Sequence, residues 1–243
     1  MISAIRALLQ FTTTLPLGKT APFEAFVSNS WIYPLAGYLI GGLSALIIII
    51  VPASPYVLAI IAIGSVIILS GANHLDGLLD FGDGLMAHGS REIRIHALTD
   101  RQTGSGALVF GIIILLLSIM ALGSIQSTIY MASSLIIAEV LSKWAMEFLT
   151  ITGKPFHEGL HAILHKEAKI WFLIPASLLI LPVFLLPIPL PTIIVAPIIT
   201  IIITLIIRII AYRSFGGVNG DVTGATGEIC RAAILATISS LLI

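Results

Sequence analysis

Three aspartates, Asp76, Asp80 and Asp83, stand in the stretch NHLDGLLDFGDG at 73–84, directly after a long apolar run. Projected on an α-helix at roughly 100° per residue, they share with Asn73 an arc of about 80°. Carboxylates spaced i, i+4 and i+7 repel one another, and at a membrane boundary that repulsion is costly unless a cation lies among them. A second acidic pair, Asp221 and Glu228, falls within about 20° on a helix, with Gly224 and Ala225 between them so that another helix or a ligand can approach. Oxygen-only donors favour Mg²⁺ or Mn²⁺, whereas zinc would call for histidine or cysteine. Asp76, Asp80, Asp83, Asp221 and Glu228 are therefore candidate metal ligands. Asp83, Asp221 and Glu228 are also candidates for the reaction chemistry, since one acid must stay free of metal to accept a proton. The alternative for Asp221 and Glu228 is a helix cap and an ion pair with Arg231.

Positive charge follows in SREIRIHALTDRQTGSG at 90–106, where Arg91, Arg94 and Arg101 precede Gly104 and Gly106. Guanidinium groups hold phosphate oxygens bidentately, and glycine lets backbone come close to a ligand. These arginines, with Asn73 on the acidic face and Lys143, are the candidate substrate contacts. For the arginines, membrane orientation by positive charge is the competing explanation. Lys143 is flanked at i−4 and i+4 by Glu139 and Glu147, so an internally neutralised triad competes with a substrate role. His157, His161 and His165 recur every fourth residue and are expected to face water. His74 points away from the acidic face, toward packing.

The elements that must position these groups are membrane helices. With 58% hydrophobic and 10% charged residues, and a mean hydropathy of +1.10, the chain lies far from soluble-domain composition. It is expected to be all-α: a polytopic membrane bundle of about seven transmembrane helices, forming one domain over 1–243. The spans are placed at 31–51, 56–75, 106–123, 129–149, 170–186, 192–210 and 222–243. Residues 1–17, interrupted by Arg6 and a Leu15-Pro16 break, suit an interfacial helix. Net charge is zero, so bulk electrostatics suggest no nucleic-acid partner. Cys230 is the only cysteine, which excludes an intrachain disulfide. Basic residues fall in alternate connections while those at 52–55, 124–128 and 187–191 carry no charge. That distribution puts the N-terminus and the acids on the cytoplasmic side of the cell membrane.

The segment HLDGLLDFGDGL at 74–85, continuing into SRE at 90–92 and DRQTGSG at 100–106, resembles the adenosylcobinamide-GDP ribazoletransferase, or cobalamin synthase, family. GGVNGDVTGATGE at 216–228 is similar to that family's approach to its final acidic helix, and FTTTLPLG near the N-terminus to its opening motif. Lys143 stands where many relatives carry arginine, and Asn219 where threonine is usual. The resemblance implies an Mg²⁺-dependent phosphotransferase of the last assembly step of cobalamin (vitamin B12) biosynthesis. Its substrates would be adenosylcobinamide-GDP and α-ribazole or its 5′-phosphate, and its products adenosylcobalamin or its 5′-phosphate and GMP. Homo-oligomerisation is left open.

Two other readings are weighed on the residues themselves. A CDP-alcohol phosphotransferase also places aspartates and glycines at a membrane interface, but the third acid here follows Asp80 after only two residues, unlike that family's spacing. A cation transporter would use intramembrane acids, whereas these cluster at one end of the spans.

Overall fold

The computed structural model describes residues 1–242, so Ile243, the end of the expected seventh span, lies outside the described residues. Among the described residues every regular element is helical, as expected for an all-α membrane bundle. Apolar sequence in lipid favours this outcome, because a helix satisfies its own backbone groups. α1 (Ile2–Thr12) and α2 (Phe23–Val27) precede the first long helix, α3 (Pro34–Ile50). α4 (Pro55–Leu69) returns antiparallel to α3, and both open with proline at a position where the missing N–H costs nothing.

The chain then turns sharply. α4 and α5 (Asn73–Met86) meet at 93°, through Gly71 at φ 64° and Ala72 at φ 58°. The expected second span at 56–75 is corrected accordingly: it ends at Leu69, and the acids occupy a separate helix lying across the end of the bundle. Left-handed backbone at consecutive residues cannot continue an α-helix. The backbone N–H of Thr14 donates to Leu69 O at 2.8 Å and its hydroxyl to Ile68 O at 3.1 Å, satisfying carbonyls that the end of α4 leaves open.

α6 (Arg91–Thr99) leads into α7 (Ser105–Ser124), and α8 (Thr128–Thr152) runs through the centre of the molecule with most of its side chains buried. After α9 (Leu160–Glu167) the chain bends by 91°. The expected span at 170–186 is broken there into a 3-10 turn, the short α10 (Leu173–Leu178) and a second 3-10 turn, with Pro175 and Pro182 unable to donate to a continuous ladder. α11 (Leu190–Ser214) and α12 (Gly220–Leu241) close the bundle.

Three helical segments, Ser30–Ile50, α7 and α11, are each long and apolar enough to cross a membrane, and five are if each bent pair counts as one. α8 and α12 miss that standard through composition, not length. Their Glu139, Lys143, Glu147, Glu228 and Arg231 are buried within the bundle. With both helices included, up to seven segments could cross a membrane.

One end of the bundle collects the charged connections. There Val218 N–H donates to Lys154 O at 2.9 Å, tying the approach of α12 to the exit of α8, and Arg94 donates to Leu85 O at 2.9 Å, tying α6 to α5.

Candidate active site

α5 and α12 cross almost without side chains between them. A Cβ on Gly77 would stand 2.8 Å from Asp221 O, and one on Gly224 would stand 3.2 Å from His74 Cα. This contact brings Asp76 and Asp80 of α5 beside Asp221, in the first turn of α12. Asn219 orients that acid: its Nδ2 donates to Asp221 Oδ2 at 2.7 Å, while its Oδ1 accepts the Val222 N–H at 3.0 Å and caps the helix. Burial pushes the Asp80 carboxyl up to about 7, with the charges of Asp221, Asp76 and Asp83 adding to the shift. Like charges held this close without compensation favour a proton or a cation among them.

Asp83 is placed differently from its neighbours. Its oxygens accept the Gly104 N–H at 2.7 Å and the Ala107 N–H at 2.8 Å, replacing an N-cap side chain that α7 lacks. Glycine makes this approach close, since Gly82 and Gly106 each stand where a Cβ would strike the other's carbonyl oxygen, at 2.7 and 2.6 Å. A separate hollow of about 350 Å³ opens beside Asp83, lined also by Asp100, Gln102 and Thr103.

Glu228 does not join the acids at the end of α5. It is buried and paired with Arg231, whose Nε lies 2.8 Å from Glu139, while Lys143 lies 3.3 Å from the other Glu139 oxygen. Two carboxylates and two cations thus form a neutral buried cluster, and Lys143, at 1% exposure, is held within it. Of the arginines, Arg91 and Arg101 are exposed, Arg91 lying over Gly216, whereas Arg94 is committed to Leu85 O.

Beside Asp76 and Asp221 a cavity of about 420 Å³ enters the bundle between α1, α5, α8, α9 and α12. Asn73 lines it too. Contrary to the expected exposure of the histidine stripe, His161 is 4% exposed. Its Nε2 donates to Gly153 O at 2.8 Å, and His165 Nδ1 donates to Thr150 O at 2.8 Å, so these two cap open carbonyls at the end of α8, while His157 is exposed as expected. Burial lowers the His161 pKa to about 4. Thr223 Oγ1 lies 3.2 Å from Nδ1 of the ring and donates to Asn219 O at 2.9 Å. Asn219 and His161 are the site residues that sequence reasoning missed. A residue of capping type directly before Gly220-Asp221 was the available signal for the first.

No three histidine, cysteine or acidic side chains among the described residues are gathered closely enough to enclose an ion. Hard all-oxygen donors on Asp76, Asp80 and Asp221 nevertheless fit Mg²⁺, which keeps waters and takes one or two carboxylates together with substrate phosphates instead of a closed protein cage.

A polytopic helical bundle carrying acids from two helices at one end, beside a nucleoside-sized cavity and exposed arginines, defines a membrane enzyme suited to phosphoryl transfer. The cobalamin-5-phosphate synthase family model matches residues 4–239, and the chain belongs to that family. It is 35% identical over all of its length to 97% of the adenosylcobinamide-GDP ribazoletransferase of Methanocella arvoryzae. It is 34% identical, over 97% of the chain and 96% of the relative, to the protein of that name from Halorubrum lacusprofundi. A Thermococcus kodakarensis relative of the same name is 33% identical over 95% of the chain and 96% of its own length. No solved structure matches the chain.

Proposed function

We propose that the protein is an adenosylcobinamide-GDP ribazoletransferase, joining adenosylcobinamide-GDP to α-ribazole or its 5′-phosphate in the last assembly step of cobalamin biosynthesis. The reading is carried by the meeting of Asp76, Asp80 and Asp221 from two helices, beside a cavity, in a chain of this family. A ribose hydroxyl oxygen forms a bond to the phosphorus attached to cobinamide, the bond from that phosphorus to the GMP oxygen breaks, and GMP departs. The hydroxyl proton passes to a carboxylate that is not holding metal. Asp76, which borders the cavity, is the acid placed for this.

Asp80 and Asp221, one from each helix, would hold Mg²⁺. The bound ion would neutralise charge on the diphosphate. Arg91 and Arg101, exposed near this end, supply positive charge for phosphate oxygens. Arg94 and Lys143 act through the structure they hold, and Asp83 and Glu228 secure α7 and α12. Positive charge at this end supports a cytoplasmic active site in the cell membrane.

The test incubates purified protein with adenosylcobinamide-GDP, α-ribazole and Mg²⁺ and measures GMP. GMP release that requires α-ribazole, and is lost in Asp80→Asn, is the expected result. CMP release from CDP-diacylglycerol, or cation flux without nucleotide cleavage, would replace the proposal.

A further inference from the structure

We infer that the cavity between α1, α5, α8, α9 and α12 seats the flat aromatic base of the acceptor nucleoside, leaving the ribose at its mouth beside Asp76 and Asp221. This assignment rests on the proposed ribazole transfer and adds to it the location of one substrate. Size supplies the first argument. About 420 Å³ falls in the range of pockets that enclose small ligands, and it is far too small for a corrin macrocycle.

The second argument is the character of the walls. Phe11, Tyr33, Met146, Leu160 and Leu164 contribute apolar surface, and no lysine or arginine lines the cavity among the described residues. Several of its polar groups are already spoken for by protein. Gln10 donates to Lys19 O at 3.1 Å and accepts from Ala21 N–H at 2.8 Å. His161 donates to Gly153 O, the Thr150 hydroxyl to Met146 O at 2.9 Å and the Thr223 hydroxyl to Asn219 O at 2.9 Å. Walls of this kind match an uncharged aromatic ring, worth most when desolvated against other rings and methionine. They offer no cation to balance a phosphate.

Direction is the third argument. In-line displacement puts the attacking and departing oxygens on opposite sides of the phosphorus. Asp76 borders this cavity and Asp83 borders the polar hollow, about 10 Å further along α5 at 1.5 Å per residue. A nucleoside entering at Asp76 thus attacks from one end of the acidic row, and GMP leaves toward the other.

The experiment uses the full chain in lipid nanodiscs. GMP release is followed while α-ribazole and adenosylcobinamide-GDP are varied in turn, and α-ribazole binding alone is measured by equilibrium dialysis. Leu164→Trp fills the cavity. Leu160→Ala removes apolar surface at its mouth from a residue 53% exposed, so folding does not depend on it. Both are expected to weaken α-ribazole, in dialysis and in its KM, by roughly tenfold, with the KM for adenosylcobinamide-GDP unchanged. Unaltered α-ribazole binding in a folded Leu164→Trp or in Leu160→Ala overturns the assignment. A raised KM for adenosylcobinamide-GDP in its place overturns it too, since guanosine would then occupy the cavity. Absence of GMP release from the unsubstituted protein overturns the proposed reaction instead, and α-ribazole dialysis still decides the cavity.

Discussion

Gly77→Ala changes a single methyl group and tests whether the closeness of α5 and α12 makes the site. The added Cβ would lie 2.8 Å from Asp221 O and 2.9 Å from Asp221 Cα, where ordinary contact begins at 3.4 Å. Both obstacles are backbone, so no side chain can swing aside and the helices must part by about 0.5 Å. Overpacking of this kind costs about 1–3 kcal/mol, and the better helix propensity of alanine returns up to about 1 kcal/mol. The net loss of stability is therefore small, on the order of 1 kcal/mol, and the protein stays folded. Activity should suffer more, because reacting groups must be held within about 0.5 Å and a misplacement of about 1 Å costs roughly 100-fold. GMP release is expected to fall about tenfold, with a modest drop in Tm in the same detergent. Gly64→Ala, with nothing within 4 Å of its added Cβ, is the matched control and should keep full activity. A Gly77→Ala protein with unchanged rate and unchanged Tm would refute the argument that this contact positions the acids.

Other substitutions separate supporting acids from reacting ones. Asp83→Ala removes the acceptor for Gly104 and Ala107 N–H and should lower stability by about 1–2 kcal/mol, seen as a larger fall in Tm than Asp76→Ala produces; equal Tm values would contradict the capping role. Arg231→Met leaves Glu139 and Glu228 without their shared partner and should destabilise by about 3–5 kcal/mol, reducing the yield of folded protein; a normal yield and Tm would count against the buried cluster. The carboxyl of Asp80 is raised from 3.8 to about 7, so the metal-free fold keeps a proton that the unfolded chain has already released. Its contribution to stability is complete below the unfolded value and is lost as pH rises through about 7. Tm in EDTA should decline over that window, and Asp80→Asn should flatten the slope; an identical slope in the variant would remove Asp80 as its source.

Much of this architecture was legible because lipid leaves the chain few choices. The apolar runs, the uncharged connections and the clustering of Lys and Arg locate the helices and the working end before any coordinates. Gly71 lay at the break between α4 and α5, but an apolar helix running on through Leu75 looked equally continuous, since hydropathy does not report direction. Helical projection correctly grouped Asp76, Asp80 and Asp83 on α5. It could not show that Asp83 would be claimed by the N–H groups of α7, because that partner comes from another element. Glu228 shares a stripe with Asp221, yet it lies deeper by nearly two turns, where Arg231 and Glu139 are nearer than α5. The histidine spacing was visible, but the burial of His161 against the end of α8 depends on how α9 folds back.

The central claim is that carboxylates from α5 and α12 together bind one divalent ion at the reaction centre. Mn²⁺ electron paramagnetic resonance on the full chain with adenosylcobinamide-GDP tests it directly, comparing the unsubstituted protein with Asp80→Asn, Asp221→Asn and Glu228→Gln. The account expects bound Mn²⁺ in the unsubstituted protein, weakened binding when either α5 or α12 loses its acid, and an ion signal retained in folded Glu228→Gln. Binding that is indifferent to both aspartates, or that depends on Glu228 alone, would contradict it.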